Sequence, residues 1–166
     1  MPTIPNCEKY ANCPLTISTV NGEKDLEWQP KLQTEPIDFK PLEAELGFSI
    51  NPQIKEYLST YWFLPLEGST DTVEQLVLDE VLPKPQQKFL EDVKFFFNKK
   101  ELHYMSEGEY FLIGGFCMIE RDDSYLVHVD NDTGEVFAVQ NFDKVSIKIA
   151  DSIEDLLKKM KGEWEI

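Results

Sequence analysis

Histidine is scarce in this chain, and the motifs of common enzymes are absent. Neither of the two histidines, His103 and His128, has a second His, Cys or carboxylate at a spacing typical of metal ligands. There is no GxSxG, Walker A or GxGxxG motif, so acyl transfer, nucleotide hydrolysis and dinucleotide binding lack a recognisable site. We therefore expect no metal, no cofactor and no enzymatic activity. A glycosidase-type carboxylate pair is the one enzymatic alternative.

Cysteine is also scarce. Cys7, Cys13 and Cys117 form an odd set without CxxC spacing, which argues against a disulfide framework or a zinc knuckle. A Cys7–Cys13 bridge is geometrically conceivable, but we expect reduced thiols. Cys117 lies in the most apolar run of the chain, where burial should raise the pKa of its thiol and suppress nucleophilic chemistry.

Long apolar runs are missing as well. No window approaches the roughly 18 to 20 consecutive apolar residues that span a bilayer, and the N-terminus lacks the basic-then-apolar layout of a secretion signal. We expect no transmembrane segment and a cytoplasmic location.

Positive charge is outnumbered: 16 Lys and Arg face 31 Asp and Glu, which gives a formal net charge of −15. Such an excess repels nucleic acid and anionic lipid but attracts a basic protein surface. The alternative is that acidity only keeps the domain in solution. On the first interpretation the candidate partner-binding residues are Glu67, Asp71, Asp79, Glu80, Glu120, Asp122, Asp123, Asp130 and Asp132.

Trp28 is a further candidate contact, because exposed tryptophans are enriched at the centres of interfaces. It follows an acidic turn and precedes Pro30 by two positions. The other interpretation is a packing anchor for an N-terminal hairpin, with the indole N–H bonded to a backbone carbonyl.

The pattern of apolar residues predicts an α+β fold, a largely antiparallel sheet with helices packed around it, in a single domain over residues 14–166. Residues 1–13, with two prolines and no apolar period, are expected to form a loose extension. Helices are predicted at Phe39–Leu46, after the Asn51 cap, after Pro85 and after the Ser152 cap. Strands are predicted at Leu15–Val20, Tyr61–Leu66, Thr72–Leu82, Glu109–Ile119, Ser124–Val129, Val136–Gln140 and Val145–Ile149. For Thr72–Leu82 a helix is the alternative.

Turns and a bulge are predicted between and within these strands. Turns are predicted at Asn21-Gly22, Glu67-Gly68-Ser69, Arg121-Asp122-Asp123 and Asn131–Gly134, and a bulge at Gly114-Gly115. The segment from Asp130 resembles a calcium loop, but Gly134 is its fifth residue instead of its sixth, and Asn141 stands where an EF-hand has glutamate. A polar hairpin turn is therefore favoured. His128 should face solvent or make one satisfied hydrogen bond.

Three segments in the first half resemble the Syd family of SecY-interacting proteins: Pro14–Thr19, Glu27–Pro30 and Ile50–Thr60, in matching order and spacing. In the second half, Asp132–Val136 and Ile149–Ile153 are similar to the wider SUKH superfamily. Together the resemblance covers about Pro14 to Met160.

This resemblance implies an α+β fold without catalytic residues. It also implies one of two partners: a secreted toxin, often a nuclease, bound by an immunity protein, or the basic cytosolic loops of the SecY translocon, bound at the inner face of the membrane. The few residues before Pro14 leave no room for the long N-terminal helix of proteobacterial Syd proteins. The immunity role is therefore preferred, with translocon binding as the alternative.

Overall fold

The largest element is a seven-stranded sheet, seen in a computed structural model that describes residues 1–97, 108–120, 123–140 and 142–162. Within these ranges the helices are α1 (Glu8–Ala11), α2 (Lys40–Leu46), α3 (Pro52–Ser59), α4 (Gln86–Phe95) and α5 (Ile153–Lys159). The strands are β1 (Thr3–Pro5), β2 (Thr16–Val20), β3 (Asp25–Trp28), β4 (Lys31–Leu32), β5 (Tyr61–Trp62), β6 (Leu66–Ser69), β7 (Gln75–Leu78), β8 (Tyr110–Met118), β9 (Tyr125–Asp130), β10 (Val136–Gln140), β11 (Val145–Ala150) and β12 (Lys161–Gly162).

The seven strands lie in the order β11-β10-β9-β8-β7-β6-β12, and every neighbouring pair is antiparallel. Short connections favour this arrangement, because antiparallel strands can be joined by tight turns. Two small sheets accompany it, β1-β3-β2 and β4-β5. The predicted α+β class with a largely antiparallel sheet is confirmed.

The alternation of side chains along each strand decides which sheet face carries the main core. On β9, Tyr125, Val127 and Val129 point into that core with Ile54 of α3 and Leu156 of α5. The opposite face carries a smaller cluster of Tyr110, Val139 and Phe137.

Local capping chemistry sets three helix ends, as the sequence predicts. The Asn51 side chain accepts the N–H of Gln53 at 2.9 Å and begins α3. The Ser152 hydroxyl oxygen accepts the N–H of Asp155 at 2.9 Å and begins α5. Gly47 ends α2 with φ of +81°, a left-handed conformation that suits glycine.

The predicted bulge at Gly114 is also confirmed, since the β8–β9 register shifts on both sides of it. A Cβ placed at Gly114 would stand 2.8 Å from the carbonyl oxygen of Val77 and 3.0 Å from the Cβ of Val127. The close approach of two neighbouring strands therefore requires glycine here.

The predicted turn at Glu67-Gly68-Ser69 is wrong, because these residues form the end of β6. Gly68 pairs with Leu76 on one side and with Gly162 on the other. The chain turns later, where the Thr70 N–H donates to the carbonyl oxygen of Val73 at 2.9 Å. Pairing with β12 from the far end of the chain overrides the local turn signal.

The N-terminal residues differ from the expected loose extension. β1 pairs with β3 in the register Ile4↔Leu26, and Tyr10 of α1 is buried in the main core. Pro5 is compatible with this because β1 is an edge strand, where a missing N–H can face outward, and Pro2 precedes the strand.

Candidate functional site

Seven of the predicted acidic residues fall into three separate places. The first, which we call the acidic end of the sheet, holds the predicted Asp71, Glu120 and Asp123 together with Glu74, which was not predicted as a contact. The turn after β6 carries Asp71 and leads to Glu74, whose N–H donates to the carbonyl oxygen of Met118 at 2.9 Å. Just past β8, Asp123 Oδ1 accepts the N–H of Glu120 at 3.2 Å. The β6–β7 and β8–β9 connections therefore meet at the same end.

Most of the charge at the acidic end faces solvent. The Asp71 side chain is 91% exposed, and its cationic partner is Lys161, 3.2 Å away between Oδ1 and Nζ. An ion pair this exposed contributes little to stability and leaves the carboxylate accessible. Within the described part of the chain, Glu74 and Glu120 have no cationic partner. Asp122, also predicted as a contact, lies outside the described residues.

Glu67 lies on β6, the strand that leads to this end, and is exposed. Its Oε1 accepts a hydrogen bond from Gln75 Nε2 at 2.9 Å. Because this partner is neutral, the negative charge of Glu67 stays available to a second molecule.

Asp79 and Glu80 form the second place, and both are engaged within the chain. The N–H of Gly115 donates to Asp79 Oδ1 at 3.1 Å, and burial raises the pKa of the Asp79 carboxyl above its usual value. Glu80 pairs with Lys9, whose ammonium also lies 5.1 Å from the Tyr10 ring centre. This ion pair joins α1 to the loop after β7. Asp79 and Glu80 are therefore both bonded to groups within the chain.

The third place is the Asp130–Gly134 turn between β9 and β10. Asp130 is buried, and its Oδ1 accepts the N–H of Asp132 at 2.8 Å. Its backbone carbonyl oxygen accepts the N–H of Gly134 at 2.8 Å. The predicted polar hairpin turn is confirmed. Asp130 shapes the turn from inside, and only Asp132 is exposed to a partner.

Trp28 is not a surface contact: its side chain is 1% exposed and belongs to the main core. It lies at the end of β3, where its backbone N–H donates to the carbonyl oxygen of Pro2 at 3.1 Å. A small cavity beside it is lined by Pro65 and Val77, so Trp28 packs between the three-stranded sheet and the large sheet. The interpretation of Trp28 as a packing residue is confirmed by its burial, while the predicted bond from the indole N–H stays a prediction.

The sequence did not predict a large open concavity, which we call the α3–α5 groove. It is an open cavity of about 1290 Å³ between the two helices and the N-terminal residues. Its floor and walls are mainly apolar and include Tyr57, Phe63, Ile153 and Leu157. Tyr61 lies on the rim and is 47% exposed.

Two polar features belong to this groove. The Tyr57 hydroxyl oxygen is buried and has no hydrogen-bond partner in the described part of the chain, and burial raises the pKa of the phenol. Its ring packs edge-to-face on Phe63 with centroids 5.4 Å apart. Glu56 and Glu154 line the groove, and Lys158 pairs with Glu154 at 2.6 Å. The groove is thus apolar inside, and its lining carries the carboxylates of Glu56 and Glu154 together with the ammonium of Lys158.

His128 differs from the expectation that it faces solvent. Its side chain is 4% exposed, and its Nδ1 has no hydrogen-bond partner among the described residues. Burial lowers the pKa of the imidazole to about 4. The folded protein therefore holds a neutral ring at this position. His103 lies outside the described residues.

Acidification should destabilise the fold through His128. The unfolded chain binds a proton below its ordinary pKa of about 6.5, whereas the folded chain does so only near pH 4. The contribution of the neutral His128 ring to the free energy of unfolding is therefore complete above the pKa of the unfolded chain, about 6.5. It is lost as the pH falls toward the pKa of the folded chain, about 4. Between pH 7 and pH 5 we expect the wild type to lose about 2 kcal/mol more than His128→Leu, measured by urea denaturation. Equal losses in the two proteins would contradict this assignment.

The three cysteines are free thiols, as expected, and Cys117 is buried. Burial raises the pKa of the Cys117 thiol to about 12, with a smaller contribution from the nearby charge of Asp123. A thiol in this state is protonated at neutral pH and is a poor nucleophile. Among the described residues, no group of three or more His, Cys, Asp or Glu could hold a metal ion.

Neither a scan against protein-family models nor a search of curated proteins found a match. No helix in the described ranges is long and apolar enough to cross a membrane.

Proposed function

We propose that this chain is a noncatalytic acidic domain that binds a basic protein. The observation that carries the proposal is the net charge of −15 together with exposed carboxylates at the acidic end of the sheet. Carboxylates clustered on one side of a domain create a directed field that steers a cationic surface toward it.

The acidic end supports a binding role better than a role in solubility alone. Asp71, Glu74 and Glu120 come from two connections far apart in sequence, and the antiparallel order of β6 to β9 brings them together. Several negative charges at one end of a sheet attract a partner of opposite charge. Exposure of Asp71 leaves its carboxylate free to exchange Lys161 for such a partner.

For the biological role we propose toxin neutralisation by a cytoplasmic immunity protein. The support is the resemblance to the Syd family and the SUKH superfamily, combined with a charge excess that suits a basic nuclease-like toxin. A domain that protects its own cell benefits from fast association, and opposite charges accelerate encounter. The alternative is a Syd-like protein that binds the basic cytosolic loops of SecY at the membrane.

Co-expression with a candidate basic nuclease toxin from the same organism tests the role. We expect the cells to survive and the two proteins to elute as one complex from a size-exclusion column. If the cells do not survive and the two proteins form no complex, toxin neutralisation is overturned. Binding to SecY-containing membranes that is lost at high salt would favour the alternative.

Neutralising the acidic end should weaken the complex. For a triple variant with Asp71→Asn, Glu74→Gln and Glu120→Gln, we expect a Kd roughly ten-fold higher, because several exposed charges are each worth a fraction of a kcal/mol. The control triple variant carries Glu23→Gln, Glu35→Gln and Glu91→Gln, which are exposed carboxylates on other parts of the chain. It changes the net charge equally, so its Kd should rise less. Equal effects of the two triple variants would show that this end has no special role.

A further inference from the structure

We infer that residues 1–12, which we call the N-terminal strap, detach as one unit while the rest of the domain stays folded. The Lys9–Glu80 ion pair and the Tyr10 side chain hold the strap closed. Opening leaves β3 as an edge strand, because β1 covers one side of β3 in the order β1-β3-β2. This movement belongs to the chain itself and does not depend on which partner it binds.

The strap buries little apolar surface. Among residues 1–14, all of which the structure describes, Tyr10 is the one buried side chain, at 9% exposed. Ile4 is only partly buried, whereas Leu15 and Leu26, which follow the strap, are 2% and 1% exposed. Segments with few buried apolar contacts open at a lower cost in free energy than the whole domain. The boundary of the stably folded part therefore lies between Tyr10 and Leu15.

Packing beneath β1 is incomplete. A cavity of about 180 Å³ lies between Thr3 and Ile4 of the strap and Val77 of the large sheet. Side chains that line a void lose the dispersion contacts that a filled space would give them. The large sheet therefore contributes little to holding β1, which depends mainly on its pairing with β3.

Backbone hydrogen bonds join the first half of the strap to β3 and to the turn before it. The Trp28 N–H donates to the carbonyl oxygen of Pro2 at 3.1 Å. The Asn6 N–H donates to the carbonyl oxygen of Lys24 at 2.8 Å. Both bonds break when β1 leaves β3, so both amides report on the same movement.

The second half of the strap is a single helical turn, α1, whose bonds lie largely within the strap. The Ala11 N–H donates to the carbonyl oxygen of Cys7 at 3.0 Å. One bond crosses to β2, where the Thr16 hydroxyl donates to the carbonyl oxygen of Tyr10 at 2.8 Å. The strap can therefore lift with α1 intact once this bond and the Tyr10 ring are released.

Charge also holds the strap closed. The Lys9 ammonium pairs with the Glu80 carboxylate, and the two side chains are 58% and 18% exposed. Asp79 immediately precedes Glu80, so Lys9 lies beside two consecutive carboxylates. Ion pairs with one exposed partner contribute modestly, so loss of the Lys9 charge should change the opening equilibrium only a few-fold.

Native-state hydrogen exchange of the full chain, followed by NMR, tests the strap. Two neighbouring amides give a matched comparison, because the Trp28 N–H bonds to the strap whereas the Gln29 N–H donates to the carbonyl oxygen of Leu15 at 3.2 Å. After correction for intrinsic exchange rates, we expect the protection of Trp28 to be roughly ten-fold lower than that of Gln29, or lower still. Asn6 should show the same protection as Trp28, because a strap that moves as a unit exposes both amides together.

Two variants that remove one positive charge each test the ion pair. Lys9→Gln should lower the protection of Trp28 and Asn6 by about two- to five-fold and leave that of Gln29 unchanged. The control is Lys158→Gln on α5, which also breaks an exposed ion pair. It should leave the protection of all three amides unchanged. A general effect of net charge would act equally in the two variants.

Three results would overturn the inference. Equal protection of Trp28 and Gln29 in the wild type would mean that the strap opens only when the domain unfolds. Clearly different protection of Asn6 and Trp28 would mean that the segment frays residue by residue. Equal effects of Lys9→Gln and Lys158→Gln would mean that the ion pair with Glu80 does not hold the strap closed.

Discussion

Replacement of Trp28 by alanine is expected to lower the free energy of unfolding by about 3 to 5 kcal/mol, the largest effect expected of any single substitution proposed for this chain. The side chain is 1% exposed, and it packs between the three-stranded sheet and the large sheet near Pro65 and Val77. Removal of the indole leaves a cavity that this junction of two sheets cannot easily close. Urea denaturation followed by circular dichroism measures the loss.

The Trp28 result also separates packing from binding. Trp28→Phe should lose less stability than Trp28→Ala, because it keeps most of the apolar volume. At a temperature where the alanine variant is still folded, its affinity for a basic partner should match that of the wild type. A variant with normal stability and lost binding would mean that Trp28 is a contact residue after all.

Replacement of Asn131 by alanine is expected to cost about 2 kcal/mol of stability, because it breaks two part-buried hydrogen bonds made by a buried side chain. Asn131 Oδ1 accepts the N–H of Asn51 at 2.7 Å, and Asn131 Nδ2 donates to the carbonyl oxygen of Ser49 at 2.8 Å. These bonds fasten the β9–β10 turn to the start of α3, which forms one wall of the groove.

The neighbouring Asp132 provides the matched control for this change. Its side chain is exposed, so Asp132→Ala should stay within about 0.5 kcal/mol of the wild type. Thermal denaturation of both variants in the same buffer measures the difference. Similar melting temperatures for Asn131→Ala and the wild type would show that the turn and α3 are not coupled through this side chain.

Features that depend on local chemistry could be predicted from the sequence. Asn51, Gly47 and Ser152 act at helix ends through bonds or conformations that involve only their own neighbours along the chain. The bulge at Gly114 could be predicted too, because a glycine inside an apolar strand is typical of a bulge or of a close approach between backbones.

Features that depend on distant parts of the chain were missed. Gly68 has the local character of a turn residue, but β12 pairs with it from the other end of the chain and keeps it in a strand. The alternation of side chains around His128 allows the imidazole to lie on either face of the sheet. The sequence pattern gives no sign that both faces of β9 are buried at this position. Tertiary contacts decided both cases.

The candidate site was predictable in chemistry but not in arrangement. The surplus of carboxylates is plain from the composition, yet strand order alone determines that Asp71 and Glu120 share one end while Asp79 and Glu80 are used internally. The groove could not be predicted, because the helices that form its walls are about a hundred residues apart in the sequence, as the hydrogen bond between Gln53 and Ile153 shows.

The salt dependence of affinity for the basic partner tests the central claim most directly. We expect the Kd of the wild type to rise steadily between low and high NaCl concentration, because salt screens attraction between exposed charges. The acidic-end triple variant (Asp71→Asn, Glu74→Gln, Glu120→Gln) should show a smaller rise than the control triple variant. An affinity that does not change with salt in any of the three proteins would contradict the claim that negative charge on this domain holds its partner.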